Sequence, residues 1–362
     1  MPITDQQAIA ALSGSGKWQG SQITFSIPGA GATWAGYPAG DEQDNADYGV
    51  LNASQAAAFR QAIAAWDRLI SPSITETNDA LPPGQIRVAF TDVDDFTEGA
   101  IAFAYTPPTF GAGASWDGDV WLDESTKTRT FTPTDDDFHT LIHEIGHALG
   151  LKHPFEGSNR LPAEYDNARY TVMSYETIPD AYIKQVTSTG TGIRWDGVLV
   201  QPSTPMMLDI TAIQSKYGQD LTAANGDTTY SWSQSVGILE TVYDTGGTDT
   251  FDLSAHTRGS IVDLTPGAFS SIAKWSGGGA GGLLDGHLRP GLRELPGVVL
   301  RRGRHLHLDQ QRRDLPDQRD RERDRQRGRR HRHRQHGGQC DPRAAGQRQH
   351  LGRCGPGLPA RR

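Results

Sequence analysis

Apolar residues recur at helical steps in two stretches and alternate in several short ones, so the chain reads as a mixture of helices and strands. Ile23–Ile27 alternates and predicts a short strand, followed by a Gly/Pro/Asp-rich loop to about Gly49. Asn52 or Ser54 offers a cap to a helix on which Phe59, Ile63, Trp66 and Ile70 share one face. Gln85–Phe90 predicts a strand, with Ile86 and Val88 alternating with Arg87 and Ala89; Ile101–Tyr105 and Asp119–Leu122 predict two more. Thr134 is placed to cap a first turn containing Asp135, Asp136 and Asp137, whose carboxylates complement the helix dipole. The helix that follows, Phe138–Leu149, turns Leu141, Ile142, Ile145 and Leu149 inward and ends at Gly150. A further helix is predicted over Met207–Tyr217, closed by Gly218. From Thr228 onward short strands and Gly/Asp turns take over, most clearly in Tyr243–Ser254. The expected fold class is α+β, helices and strands mixed with long loops and followed by a stretch of short strands.

The chemistry sits on the second helix and just beyond it, in His143–Pro154, HEIGHALGLKHP. His143 and His147 are four residues apart on one helix face, so both imidazoles can reach one ion. Glu144 follows the first of them, where its carboxylate can hold a zinc-bound water. Gly150 lets the chain fold back and deliver His153 as a third ligand. Three neutral nitrogens and a water describe an open, catalytic zinc site rather than a closed structural one. The extended pattern H-E-x-x-H-x-x-G-x-x-H is far more specific than its first five positions alone. His139, one turn earlier on the same stripe, is expected beside the site or at the surface rather than among the ligands.

Beyond this pattern comes Tyr170-Thr171-Val172-Met173-Ser174-Tyr175, with Met173 twenty residues after His153. With this segment the sequence resembles the metzincin metalloproteases, and its Met-Ser-Tyr form is similar to the serralysin branch of secreted bacterial zinc endopeptidases. The resemblance implies a zincin fold with a Met-turn at Met173 beneath the zinc. It implies Tyr175 as an extra zinc ligand that leaves the metal to assist catalysis, with Glu144 as the general base. It also casts Gly118–Leu122 as the edge strand along which an extended protein or peptide substrate lies, and Thr204–Gly218 as the element closing the catalytic domain. The expected activity is hydrolysis of peptide bonds by a zinc-dependent endopeptidase that works as a monomer.

The family follows its protease domain with a calcium-binding β-roll of RTX repeats. By that resemblance Asp244, Gly246, Gly247 and Asp249 form one calcium loop, and Ala224, Gly226 and Thr228 supply the facing one; calcium takes oxygen ligands from carboxylates and main-chain carbonyls. The domains expected are a possible propeptide or N-terminal segment 1–17, the zinc protease domain 18–218, the start of the C-terminal β domain 219–275, and an atypical Arg-rich tail 276–362.

Composition changes the picture only at that tail. The 362 residues carry 35 basic and 43 acidic side chains, a formal net charge of −8. Residues 281–362 alone hold 21 arginines against 9 acidic groups, so the body before them is strongly acidic and the tail strongly basic. Such a run reads as a nucleic-acid-binding tail, as a disordered solvated segment, or as sequence out of frame. The third reading fits Gly346–His350, which can be encoded GGG CAA CGA CAG CAC; one base on, the same letters give Gly-Asn-Asp-Ser-Thr, the core of an RTX repeat. Nucleic acid is not an expected partner. Both cysteines, Cys340 and Cys354, lie in the tail, which leaves the body without a disulfide framework or a thiolate site. No stretch approaches the ~18 apolar residues of a membrane span. Met1–Asp5 has neither the basic nor the apolar region of a secretory signal, so the resemblance implies secretion by the type I route. The competing function is a catalytically silent calcium-binding or adhesion module that keeps the metzincin fold.

Overall fold

The computed structural model describes residues 2–80, 82–93, 100–111, 113–178, 182–188, 192–273 and 298–302. All of them fall in the first of the chain's two units, Met1–Asp309. The Arg-rich tail, and with it the segment considered for a reading frame, otherwise lies outside the described residues.

A five-stranded sheet carries the site. Its strands are β1 (Gln22–Ser26), β2 (Ser73–Glu76), β3 (Ile86–Thr91), β4 (Ala102–Ala104) and β5 (Asp119–Asp123), in the spatial order β2-β1-β3-β5-β4. The first three and β5 run parallel, while β4 pairs antiparallel with β5, Phe103 opposite Trp121. This order corrects one expectation. The strand of Gly118–Leu122 is not an edge: β5 is flanked by β3 and β4, all five of its residues are buried, and the edge is β4. Apolar alternation reports which faces of a strand are covered, and it cannot tell whether a further strand pairs alongside.

Helix α2 (Ala53–Asp67) starts at Asn52, whose Oδ1 accepts from the N–H groups of Ser54 and Gln55. Its Phe59 meets Phe25 of β1 edge to face, and Trp66 donates its indole N–H to the Ile142 carbonyl at 3.1 Å. Helix α3 (Asp136–Ala148) packs on α2 with Phe138, Leu141, Ile142 and Ile145 fully buried. Its cap is Asp135 rather than Thr134. The Asp135 carboxylate accepts from Phe138 N at 2.7 Å, while Thr134 sits at φ +82°, outside the extended geometry that a capping residue needs.

The far end of α3 is built to stop. Trp18 Nε1 donates to Ala148 O at 2.8 Å and Tyr217 Oη to Leu149 O at 2.9 Å, satisfying carbonyls the helix leaves open. Gly150 then turns at φ +93°, and a Cβ there would lie 2.4 Å from Gly16 O. Two further helices frame this end. α1 (Asp5–Leu12) buries Ala8, Ala11 and Leu12 and packs against α4 (Met207–Tyr217). The segment after α1 runs alongside the helix stop, Gly14 N donating to Gly150 O at 2.9 Å and Lys152 N to Leu12 O at 2.8 Å. Beyond the Met-turn, β6 (Tyr182–Ser188) and β7 (Ile193–Leu199) form a hairpin, and after α4 the short strands β8 (Thr229–Ser231), β9 (Glu240–Asp244) and β10 (Thr250–Asp252) follow. Among the described residues no helix is long and apolar enough to cross a membrane.

Candidate metal centre

The helix and the turn at Gly150 bring three imidazoles to one point. The Nε2 atoms of His143, His147 and His153 lie 3.0–3.1 Å from one another. Each ring is oriented through its other nitrogen: His143 Nδ1 faces Val172 O at 2.7 Å, His147 Nδ1 faces Leu151 O at 3.0 Å, and His153 Nδ1 faces Glu156 Oε1 at 2.5 Å. Carbonyl and carboxylate oxygens only accept, so all three Nδ1 atoms carry the proton and all three Nε2 atoms present lone pairs. Three converging lone pairs repel unless a cation stands between them. Ligands about 2.0–2.1 Å from a tetrahedral zinc ion stand about 3.3 Å apart, close to the spacing found here. The donor set therefore fits zinc, and the first neighbours of the rings fix their tautomers as in other histidine–metal sites.

Burial keeps the imidazoles of His143 and His147 neutral. Desolvation, reinforced by the neighbouring rings, lowers His147 to about 4 and holds His143 well below its ordinary value. Glu144 is 5 % exposed, its Oε2 has no hydrogen-bond partner among the described residues, and burial alone raises its carboxyl to about 8. A buried carboxylate without a donor has the character of a group waiting for a proton. Met173 lies fully buried beneath the helix; a Cβ on Gly146 would come within 2.6 Å of its sulfur, so the glycine admits the Met-turn. Tyr175 is 68 % exposed, and its ring packs at 4.6 Å from that of His153 and 5.7 Å from that of His143. Desolvation, then the charges of Glu144 and Glu156, raise its phenol to about 12. His139 stands aside from the cluster, its ring 6.4 Å from His143.

The seven residues assigned to calcium fall on two facing loops, joined where β8 pairs parallel with β10. Thr228 N donates to Asp249 Oδ1 at 3.1 Å and Gly246 N to Asp244 Oδ1 at 3.0 Å, while Tyr230 Oη takes up Asp244 Oδ2. Thr228 Oγ1 donates to Gly226 O, which would lie 2.4 Å from a Cβ on Gly247. Ala224 adopts φ +49° at the start of its loop.

Three contributors escape a reading of the sequence. Phe155 and Glu156, two and three residues past His153, touch its ring, and Asp209 of α4 holds the Met-turn from behind. Only Glu156 leaves a sequence signal, an acceptor three residues past the last histidine.

The matrixin peptidase family model matches residues 42–176, a span that contains the three histidines, Glu144 and Tyr175. The chain is 32 % identical to the metallopeptidase AprA of Pseudomonas marginalis over 245 residues, 61 % of this chain and 48 % of that protein. It is 30 % identical to the serralysin of Photorhabdus laumondii over 259 residues, 64 % of this chain and 49 % of the relative. With the serralysin of Proteus mirabilis the figures are 29 % over 282 residues, 70 % and 54 %. The chain thus spans about half the length of the curated relatives it matches. Matched sequence and converging histidines agree: residues 42–176 match the matrixin peptidase family, and the chain is similar to serralysin-type metalloproteases over about half of their length.

Proposed function

We propose that the protein is a zinc-dependent metalloendopeptidase that hydrolyses peptide bonds in protein substrates. The observation that carries this reading is the trio of Nε2 lone pairs 3.0–3.1 Å apart beside a buried, unpartnered Glu144 carboxylate. His143, His147 and His153 would hold the metal. One zinc ion bound there supplies Lewis acidity, polarising the scissile carbonyl and acidifying water. Glu144 takes the proton from the attacking water and delivers it to the leaving amine, the work of a general base turned general acid. Tyr175, exposed at the rim, swings its phenol toward the oxygen on which charge develops. Substrate lies along β4, whose outer edge has no strand partner among the described residues; main-chain pairing there gives affinity with little demand on side chains.

The same proposal places the catalytic domain at 18–218 and the start of a calcium-stabilised β domain at 219–275, with calcium between the loops of Ala224–Thr228 and Asp244–Asp249. Resemblance to serralysins, which are secreted, supports an extracellular location.

Casein hydrolysis by the full chain in calcium buffer tests this. Activity is expected to vanish with a zinc chelator and return with zinc. Glu144→Ala should lower the rate by about 10²–10⁴-fold, the usual contribution of a general base, while zinc stays bound. His143→Ala should lose both zinc and activity, and omission of calcium should lower the unfolding temperature. Hydrolysis that survives the chelator and Glu144→Ala would exclude the mechanism. Zinc bound without hydrolysis would favour the silent calcium-binding module.

A further inference from the structure

The third histidine is held differently from the first two. His143 and His147 stand on α3, and their Nδ1 atoms donate to main-chain carbonyls, which cannot be lost by substitution. His153 comes from the loop beyond Gly150, where no helix restrains it. Its Nδ1 meets a side chain instead, Glu156 Oε1 at 2.5 Å. One face of its ring lies against Phe155, with centroids 5.0 Å apart and planes 5° from parallel. Tyr175 packs against both rings, 4.6 Å from His153 and 5.1 Å from Phe155.

We propose that Glu156 is the positioning residue of the third metal ligand, with Phe155 as the wall against which the imidazole is held. A loop histidine can rotate about two bonds, and its neutral ring can carry the proton on either nitrogen. Acceptance of Nδ1–H by the carboxylate selects one tautomer and one ring orientation, and these aim Nε2 at the other two histidines. The bond is charge-assisted, so it is stronger than the carbonyl bonds that serve His143 and His147. The loop itself does not depend on this carboxylate. Leu161 N donates to Pro154 O at 2.9 Å, Glu156 N to His153 O at 3.2 Å, and the Lys152 ammonium to Glu156 O at 3.0 Å. The Glu156 side chain is 47 % exposed, so its removal empties no core.

The inference rests on the zinc reading, and the experiment separates the two. Zinc affinity of the full chain is measured by competition with a chromophoric chelator. The visible spectrum of the cobalt-substituted protein reports the ligand geometry. Glu156→Ala is expected to weaken zinc binding by about 10–100-fold, the effect typical of a ligand's hydrogen-bond partner, and to change the cobalt spectrum. The unfolding temperature of the metal-free protein should stay the same. Glu156→Gln, which can still accept the hydrogen bond but without charge, should fall between wild type and Glu156→Ala. Glu164→Ala removes an exposed charge elsewhere in the same loop and should change nothing. Zinc affinity of Glu156→Ala within twofold of wild type overturns the proposal, and so does an equal loss in Glu164→Ala, which would point to a general field. If Glu156→Ala does not fold, Glu156→Gln decides: an altered cobalt spectrum with weakened zinc binding supports the role, and neither change overturns it. A wild-type chain that binds no zinc removes the zinc reading together with this one.

Discussion

Glu144 shows how far burial governs the chemistry of a single residue. Its carboxyl is raised to about 8 by desolvation, against an ordinary value of 4.5. In the metal-free protein at pH 7 it is therefore protonated, in an unfolded chain ionised. The native state then binds a proton that the unfolded state has released, and stability falls as pH rises between these two values. This contribution is complete below about pH 4.5 and lost by about pH 8. Glutamine has the same shape and no charge to bury. Chelator-treated Glu144→Gln should match the wild type near pH 4.5 and exceed it increasingly toward pH 8, by a few kcal/mol at about 1.4 kcal/mol per pH unit. Urea unfolding of both proteins at pH 5 and pH 8.5 measures the difference, and a gap that does not grow with pH would show that burial is not what holds the proton. With zinc restored, a nearby positive charge favours the ionised carboxylate, and the advantage of glutamine should shrink.

Asp209 carries the corresponding argument at the scale of elements. It is fully buried on α4 and accepts from Thr171 Oγ1 at 2.5 Å, Val172 N at 2.8 Å and Met206 N at 2.8 Å. The last bond closes the first turn of its own helix; the other two fix the Met-turn, whose Val172 carbonyl orients His143. One carboxylate thereby joins α4 to the metal centre. Asp209→Ala leaves three buried donors without an acceptor and should cost about 3–5 kcal/mol, with weaker zinc binding. Asp209→Asn can keep its amide oxygen on both main-chain N–H groups, which share Oδ2, but turns its NH2 toward Thr171 Oγ1, whose hydroxyl loses its acceptor; it should cost about 1–3 kcal/mol. A loss within 0.5 kcal/mol for Asp209→Ala, the range of ordinary surface substitutions, would deny the joint this role. The elements differ in how plainly the sequence announces them. α3 is legible because its apolar stripe, its acidic first turn and the glycine after it all agree, and the histidine spacing falls on that same helix. Asp209 is not, since an aspartate near a helix start reads as an ordinary favourable charge, and nothing local reveals that the Met-turn lies against it. The edge position of β4 likewise depends on which strand pairs beside β5, a matter of tertiary order.

Across the whole molecule, the least legible part is the N-terminal segment. The sequence marks the change to an Arg-rich tail through charge alone, yet α1 is short and alanine-rich, and its pattern predicts little. In the fold it is a strut. Thr4 and Gln7 cap it reciprocally, Ala8, Ala11 and Leu12 have no exposed surface, and the strand-like stretch after it binds the turn that delivers His153. The Lys216 ammonium reaches Gly14 O from α4 at 2.8 Å, so helix, turn and N-terminal segment brace one another. A leader that is removed on activation should leave a stable body behind it; a strut should not. Leu12→Ala is expected to cost about 2–5 kcal/mol, or about 5–15 °C in unfolding temperature for a domain of this size. Deletion of residues 2–13 should cost more and speed zinc loss, since Leu12 O, which accepts from Lys152 N in the turn before His153, goes with it. Calorimetry and zinc release from the truncated chain measure both effects. An unchanged unfolding temperature and zinc content would show instead that α1 is a detachable cover, and that the helix stop at Gly150 holds the third histidine without it.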